Sequence, residues 1–181
     1  MKKPDIEKFF ARLAKVNPEP KGELAHHSTF TLLAAVVLSA QATDSSVNRV
    51  TPGLFAVADT PKAIVNLGES AIRDLIKSIG LYKTKAKHLI ALSQQLIDRH
   101  GGEVPNDRKG LEALPGVGRK TANVVLNIAF SKPVIAVDTH VFRVANRTSL
   151  APGKNPAAVE AKLDKAVSNP WKMHAHHWLI L

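Results

Sequence analysis

Apolar residues recur at spacings of three and four along most of the chain, the period of a helix with one buried face. The stretches DIEKFFARLAKV, FTLLAAVVLSAQA, DSSVNRVTPGLFAVA, SAIRDLIKSIG, KAKHLIALSQQLIDRH, RKTANVVLNIAF, HVFRVANRT and PAAVEAKLDKAV all carry this spacing. The pattern predicts an all-α fold. Turn residues separate the stretches: Pro18 and Pro20, Thr60-Pro61, Gly80, Gly101-Gly102, Pro115-Gly116 and Pro152-Gly153. Glycine and proline there end one helix before the next begins, so the connections are short. Only Pro133 to Val137, PVIAV, reads as extended, and so short a run serves equally as a strand or as a buried linker between helices.

Composition narrows the partner. The 181 residues are 45% hydrophobic, enough to bury a core as one domain or as two small lobes. Lys and Arg number 25 against 15 Asp and Glu, a formal charge of +10. Such an excess favours a polyanion, with nucleic acid first among the candidates. A membrane fits less well, because the longest purely apolar run, Leu32 to Leu38, is far below the ~20 residues that a span requires. The N-terminal MKKPDIEKFF has no apolar segment leading to a small-residue cleavage site, so the expected address is the cytoplasm. Cysteine is absent, which leaves no disulfide, thiolate metal site or cysteine nucleophile. Covalent chemistry must use another side chain.

Residues 114–125, LPGVGRKTANVV, concentrate that chemistry. A short helix, RKGLEAL, meets Pro115-Gly116-Val117-Gly118, where Gly116 and Gly118 can take positive φ and admit another backbone. A second helix then starts, and its first N–H groups lie at the positive end of its dipole without partners inside the helix. A DNA phosphate fits there, with Arg119 and Lys120 adding charge; a plain helix-helix corner with a glycine cap is the other reading of PGVG alone. Lys120 also reads two ways, as a solvated phosphate contact or as a nucleophile. A lysine attacks carbon only as the neutral amine, which burial beside Arg119 and a helix N-terminus favours. Asp138 follows PVIAV and precedes THVFRV, the position of an N-cap. A cap stabilises the ionised carboxylate, and an anion held near Lys120 could stabilise positive charge on a sugar or relay a proton.

LPGVGRKTANVVLNIAF followed by PVIAVDTHVFRVANR resembles the helix-hairpin-helix, Gly/Pro-rich loop and aspartate signature of DNA glycosylases, and is most similar to the endonuclease III family. The likeness extends to LLAAVVLSAQATDSSVN (32–48), IGLYKTKAKHL (79–89) and APGKNP (151–156), nearly the whole chain. It implies a helix-hairpin-helix glycosylase fold with one lobe over 22–135 and a second, truncated lobe over 1–21 and 136–181. It also implies a monomer acting on double-stranded DNA with damaged pyrimidines or abasic sites, in a bacterial cytoplasm at the nucleoid. The implied activity is base excision repair: removal of oxidised pyrimidines, then β-elimination 3′ to the abasic site.

By this resemblance Lys120 is the nucleophile that forms a Schiff base, and Asp138 is the catalytic aspartate. The related adenine glycosylases lack a lysine at this position. Gln41, in LSAQATD, and Leu81, in IGLYKTKA, resemble the residues that enter the duplex from two loops. An amide can hydrogen-bond an orphaned base, whereas leucine wedges by shape. Gly116, Gly118, Arg119, Lys83 and His140 are the further expected DNA contacts. Lys83, Lys85 and Lys87 either line the phosphate path or form a solvated face.

The chain also departs from the family. His174, His176 and His177 in MHAHHWLIL spread around a helix with no Asp or Glu beside them, so no metal is expected. Endonuclease III usually continues past HHWLIL with four cysteines holding a [4Fe–4S] cluster; these ligands are absent here, and no cofactor is expected in this chain. Ala175 stands where close relatives often have a further cysteine. Without such a segment, Phe9, Phe10 and Trp178 to Leu181 are expected to lack a packing partner. The alternative reading is a catalytically weak DNA-binding remnant of the same fold, which the retention of both Lys120 and Asp138 opposes.

Overall fold

The computed structural model describes residues 1–180, and all regular structure among them is helical. The chain forms two compact units, one of residues 23–125 and one of residues 1–22 with 126 onward.

In the 23–125 unit, α2 (Thr29–Leu38) is buried at every residue from Phe30 to Leu38. A helix apolar on all sides belongs at the centre of its unit. Ser28 starts it with a reciprocal cap: its Oγ accepts from Thr31 N at 3.1 Å, and Thr31 Oγ1 accepts from Ser28 N at 2.8 Å. Next come α3 (Asp44–Val57), α4 (Pro61–Leu67), α5 (Glu69–Ile76) and α6 (Tyr82–His100). Thr60-Pro61 separates two helices as expected, and it also starts α4, which the apolar spacing did not predict. Thr60 Oγ1 caps Ala63 N at 3.2 Å, and Pro61 occupies the first turn, where no N–H is needed. Both α4 and α5 pack on α6, whose Ala86, Leu89, Leu92 and Leu96 are buried. The short α7 (Arg108–Glu112) leads to α8 (Arg119–Phe130), and the division between units falls inside α8.

Lys85 corrects one expectation. Lys83 and Lys87 share an exposed face, but Lys85 lies about 200° round the helix from Lys83. It is only 3% exposed, and its Nζ has no hydrogen-bond partner among the described residues. Burial pushes its ammonium below the ordinary lysine range. The unfolded chain therefore holds this proton more tightly than the folded one. The penalty is fully present below the folded-state value and relieved as pH rises towards the unfolded value of about 10.4. Lys85→Met should stabilise the protein by about 1–3 kcal/mol at neutral pH and flatten the rise in stability on the alkaline side. Urea unfolding at pH 7 and pH 10 checks both; equal midpoints for the two proteins at pH 7 would show that the buried ammonium costs nothing.

The other unit comprises α1 (Lys3–Val16), the end of α8, α9 (Thr139–Arg147), α10 (Pro156–Ala166) and α11 (Asn169–Ile180). Ile6 and Phe10 meet Val141, Val159, Leu163 and Trp178 in its core. The Phe10 ring lies 6.1 Å from Trp178 and 6.5 Å from Trp171. Indole N–H groups are satisfied at the margin, Trp178 by Asn17 O at 2.8 Å and Trp171 by the Glu7 carboxylate. Ile180, 39% exposed, keeps part of the expected bare apolar cluster, but Phe10, Trp178 and Leu179 are 0%, 8% and 4% exposed. They cover one another because α1 and α11 pack together. Leu181 lies outside the described residues.

Candidate active site and nucleic-acid interface

The hairpin is built by local hydrogen bonding. Asp107 caps α7 through Gly110 N at 2.8 Å. The turn then closes with Leu114 N–H on Leu111 O at 3.0 Å and Val117 N–H on Leu114 O at 3.1 Å. The first bond of α8 runs from Ala122 N–H to Gly118 O at 2.9 Å. The N–H groups of Lys120 and Thr121 precede that bond, at the positive end of the helix. Gly116 has φ 78°, and a Cβ there would meet His88 Nδ1 at 2.9 Å. Only glycine satisfies both demands. Gly118, expected to share the positive φ, does not; a Cβ on it would meet nothing within 4 Å, so its bare edge leaves the start of α8 approachable.

His88, half-buried on α6, had no signal in the sequence, because its role is to lie against a turn distant along the chain. Arg119 and Lys120 open α8, the first exposed and the second half-buried. Among the described residues, no hydrogen bond or ion pair engages the Lys120 ammonium.

Gln41 and Leu81 come together within the same unit. A Cβ on Gly80 would lie 3.9 Å from Gln41 O, so the turn after α2 and the turn before α6 are neighbours. Both residues have left-handed backbones, with φ 53° at Gln41 and φ 59° at Leu81. That conformation costs a non-glycine residue about 1–2 kcal/mol. Leu81 is also 56% exposed. A strained backbone holding an aliphatic side chain in water is the reverse of what packing alone selects. Lys83 follows, exposed, with Nζ 6.0 Å from the Tyr82 ring centroid.

In the other unit, PVIAV is a linker rather than a strand, with Ile135, Ala136 and Val137 buried. It delivers Asp138 to the start of α9. Asp138 Oδ1 accepts from His140 N at 3.0 Å and Val141 N at 2.9 Å. The cap consumes one carboxylate oxygen, and Oδ2 carries no hydrogen bond among the described residues. His140 is exposed, and Arg143 Nη2 stands 3.5 Å from its Nδ1.

Among the described residues no three His, Asp or Glu side chains converge on one position, the three C-terminal histidines included. With no cysteine among the 181 residues, they hold no thiolate ligand for an iron–sulfur cluster. No described helix is long and apolar enough to cross a membrane.

A family model described as HhH-GPD superfamily base excision DNA repair protein matches residues 34–169. Endonuclease III of Rickettsia conorii is 57% identical over 176 residues, which span 97% of this chain and 84% of that protein. Endonuclease III of Escherichia coli K12 is 57% identical over 173 residues, 96% of this chain and 82% of that protein. Among solved structures, a trapped endonuclease III–DNA covalent intermediate, an estranged-adenine complex, matches with a TM-score of 0.93 at 44% identity, covering 99% of this chain and 85% of that one. A thermostable thymine-DNA glycosylase shares the fold, with a TM-score of 0.83 at 24% identity over 97% of this chain and 83% of that one.

Proposed function

The chain belongs to the endonuclease III family of the HhH-GPD superfamily, DNA glycosylase and abasic-site lyase enzymes of base excision repair, and on that premise we propose that it removes oxidised pyrimidines from duplex DNA through a Lys120 Schiff base and then cleaves 3′ to the abasic site. The observation that carries this reading is Lys120 itself: a half-buried residue whose ammonium has no hydrogen-bond or ion-pair partner among the described residues, one residue into a helix whose N-terminus is bordered by the bare edge of Gly118.

In this reading Nζ, having lost a proton, attacks C1′ of the damaged nucleotide, and the base leaves with the electron pair of the glycosidic bond. Asp138 Oδ2, not used by the cap, supplies the anion that stabilises charge developing on the sugar. Ring opening gives an imine between Nζ and C1′. The imine acidifies C2′, a proton leaves there, and the C3′–O bond breaks with the phosphate as leaving group. Water then releases Lys120. The glycines of the hairpin, Arg119, Lys83 and His140 hold phosphates, while Gln41 and Leu81 fill the space of the extruded nucleotide. The adjacency and strain of those two turns support a shared role at one point of the duplex. The lobe of 22–135 grips phosphate, the lobe of 1–21 with 136–181 presents Asp138, and the enzyme works as a monomer at the nucleoid of a bacterial cytoplasm.

Borohydride reduction during reaction with a duplex carrying thymine glycol tests the reading. A covalent protein–DNA adduct is expected, and intact DNA without adduct would overturn it. Gln41→Ala and Leu81→Ala should each slow base excision about tenfold, while cleavage at a preformed abasic site, where no base must be extruded, stays within about twofold. Equal losses on both substrates would count against insertion.

A further inference from the structure

Two buried side chains hold carbonyl groups of the linker that ends at Asp138. It leaves α8 through Ser131, at φ 51°, with Lys132 N–H closing the helix end on Leu126 O at 3.0 Å. Asn127, 7% exposed on α8, points Nδ2 at Val134 O at 3.0 Å and at Lys132 O and Lys172 O, both at 3.3 Å. His176, 9% exposed on α11, has Nδ1 at 2.8 Å from Ala136 O. A carbonyl only accepts, so Nδ1 carries the proton. Ala136 is two residues ahead of Asp138; the Val137 side chain between them is buried in the core, and Asp138 itself caps α9.

We propose that His176, assisted by Asn127, is a positioning residue for Asp138: by fixing the carbonyls of Ala136 and Val134 it sets where the free carboxylate oxygen is presented to the reacting sugar. This assigns a role to a histidine that the sequence offered only as an unsuitable metal ligand, and it rests on the catalytic reading of Asp138. Small displacement of a reacting group costs up to ~100-fold in rate without loss of affinity, and an unpaired buried carbonyl supplies the drive for such a displacement.

The test measures single-turnover base excision on a thymine glycol duplex, affinity for a duplex with a tetrahydrofuran abasic analogue, and melting temperature. His176→Leu should slow excision ~10- to 100-fold with affinity within about twofold. His176→Asn, whose amide reaches the place of Nδ1, should recover most of the rate. His176→Gln, whose donor lies where Nε2 would, should not. On Asp138→Asn, adding His176→Leu should change excision by less than about twofold, since there is no carboxylate left to misplace.

A wild-type rate in His176→Leu, or losses that multiply in the double variant, would overturn the proposal. If His176→Leu does not fold, the Asn and Gln variants decide: equal rates would overturn it, and an Asn variant about tenfold faster supports it. Wild-type excision by Asp138→Asn alone would instead sink the catalytic role of Asp138, a separate failure read from a separate protein.

Discussion

Lys120→Ala is expected to abolish the borohydride-trapped adduct and to slow base excision by at least about 1000-fold, because the variant has no amine at the start of α8 to form the imine. The folded protein should barely change: no hydrogen bond or ion pair engages the ammonium among the described residues, and substitutions of that kind move stability by about 0.5 kcal/mol or less. Affinity for DNA should fall only as far as one cation contributes among several, with the salt slope flattening by about one unit at most. Lys120→Arg sharpens the result. A guanidinium keeps the charge and remains protonated, so phosphate contact survives and the adduct does not. Were Lys120 only a phosphate contact, Arg would restore activity and trapping would persist in the alanine variant, moving the nucleophile to another amine. Lys85 is poorly placed to be that amine, since it is buried within α6 of the same unit.

Much of this site was legible because its signals are local. LPGVGRKTANVV announces a turn through proline and glycine and a helix through apolar spacing, and α8 spans the RKTANVVLNIAF that the spacing predicts. Asp138 was legible as a cap for the same reason. What remained hidden depends on contacts between distant segments. Nothing in LSAQATD or IGLYKTKA says that Gln41 O and Gly80 are neighbours, and that adjacency makes two isolated turns into one feature. Likewise MHAHHWLIL carries no sign of Ala136.

Periodicity also failed where burial is not one-sided. In α11, Lys172, Ala175, His176, His177, Trp178 and Leu179 are all buried, so no apolar stripe marks the helix. Thr60-Pro61 was legible as a break but not as a start: the same pair that separates two helices also caps α4, which is too short to show an apolar stripe. Lys85 shows the limit of reading charge runs: alternate residues of a helix face opposite ways, and one of three neighbouring lysines points inward.

Asp138→Asn should separate the cap of α9 from the catalytic role proposed for the same side chain. The cap needs only an acceptor: Asp138 Oδ1 takes the N–H groups of His140 and Val141 at 3.0 and 2.9 Å. Asparagine caps as well as aspartate, so the melting temperature of the variant should match the wild type. The charge is lost, and with it the stabilisation of positive charge on the sugar, so excision should slow by about 100-fold or more. DNA affinity should hold or tighten slightly, since in the proposed complex the substitution removes an anion close to a polyanion. Asp138→Ala completes the comparison. It should lose excision to a similar extent and also about 1 kcal/mol of stability from the missing cap. Thermal melting of the three proteins reads the cap, and single-turnover excision reads the charge. An asparagine variant that excises at the wild-type rate would confine Asp138 to starting α9, whereas one that melts like the alanine variant would show that the cap depends on the charge, and the two functions would not be separable.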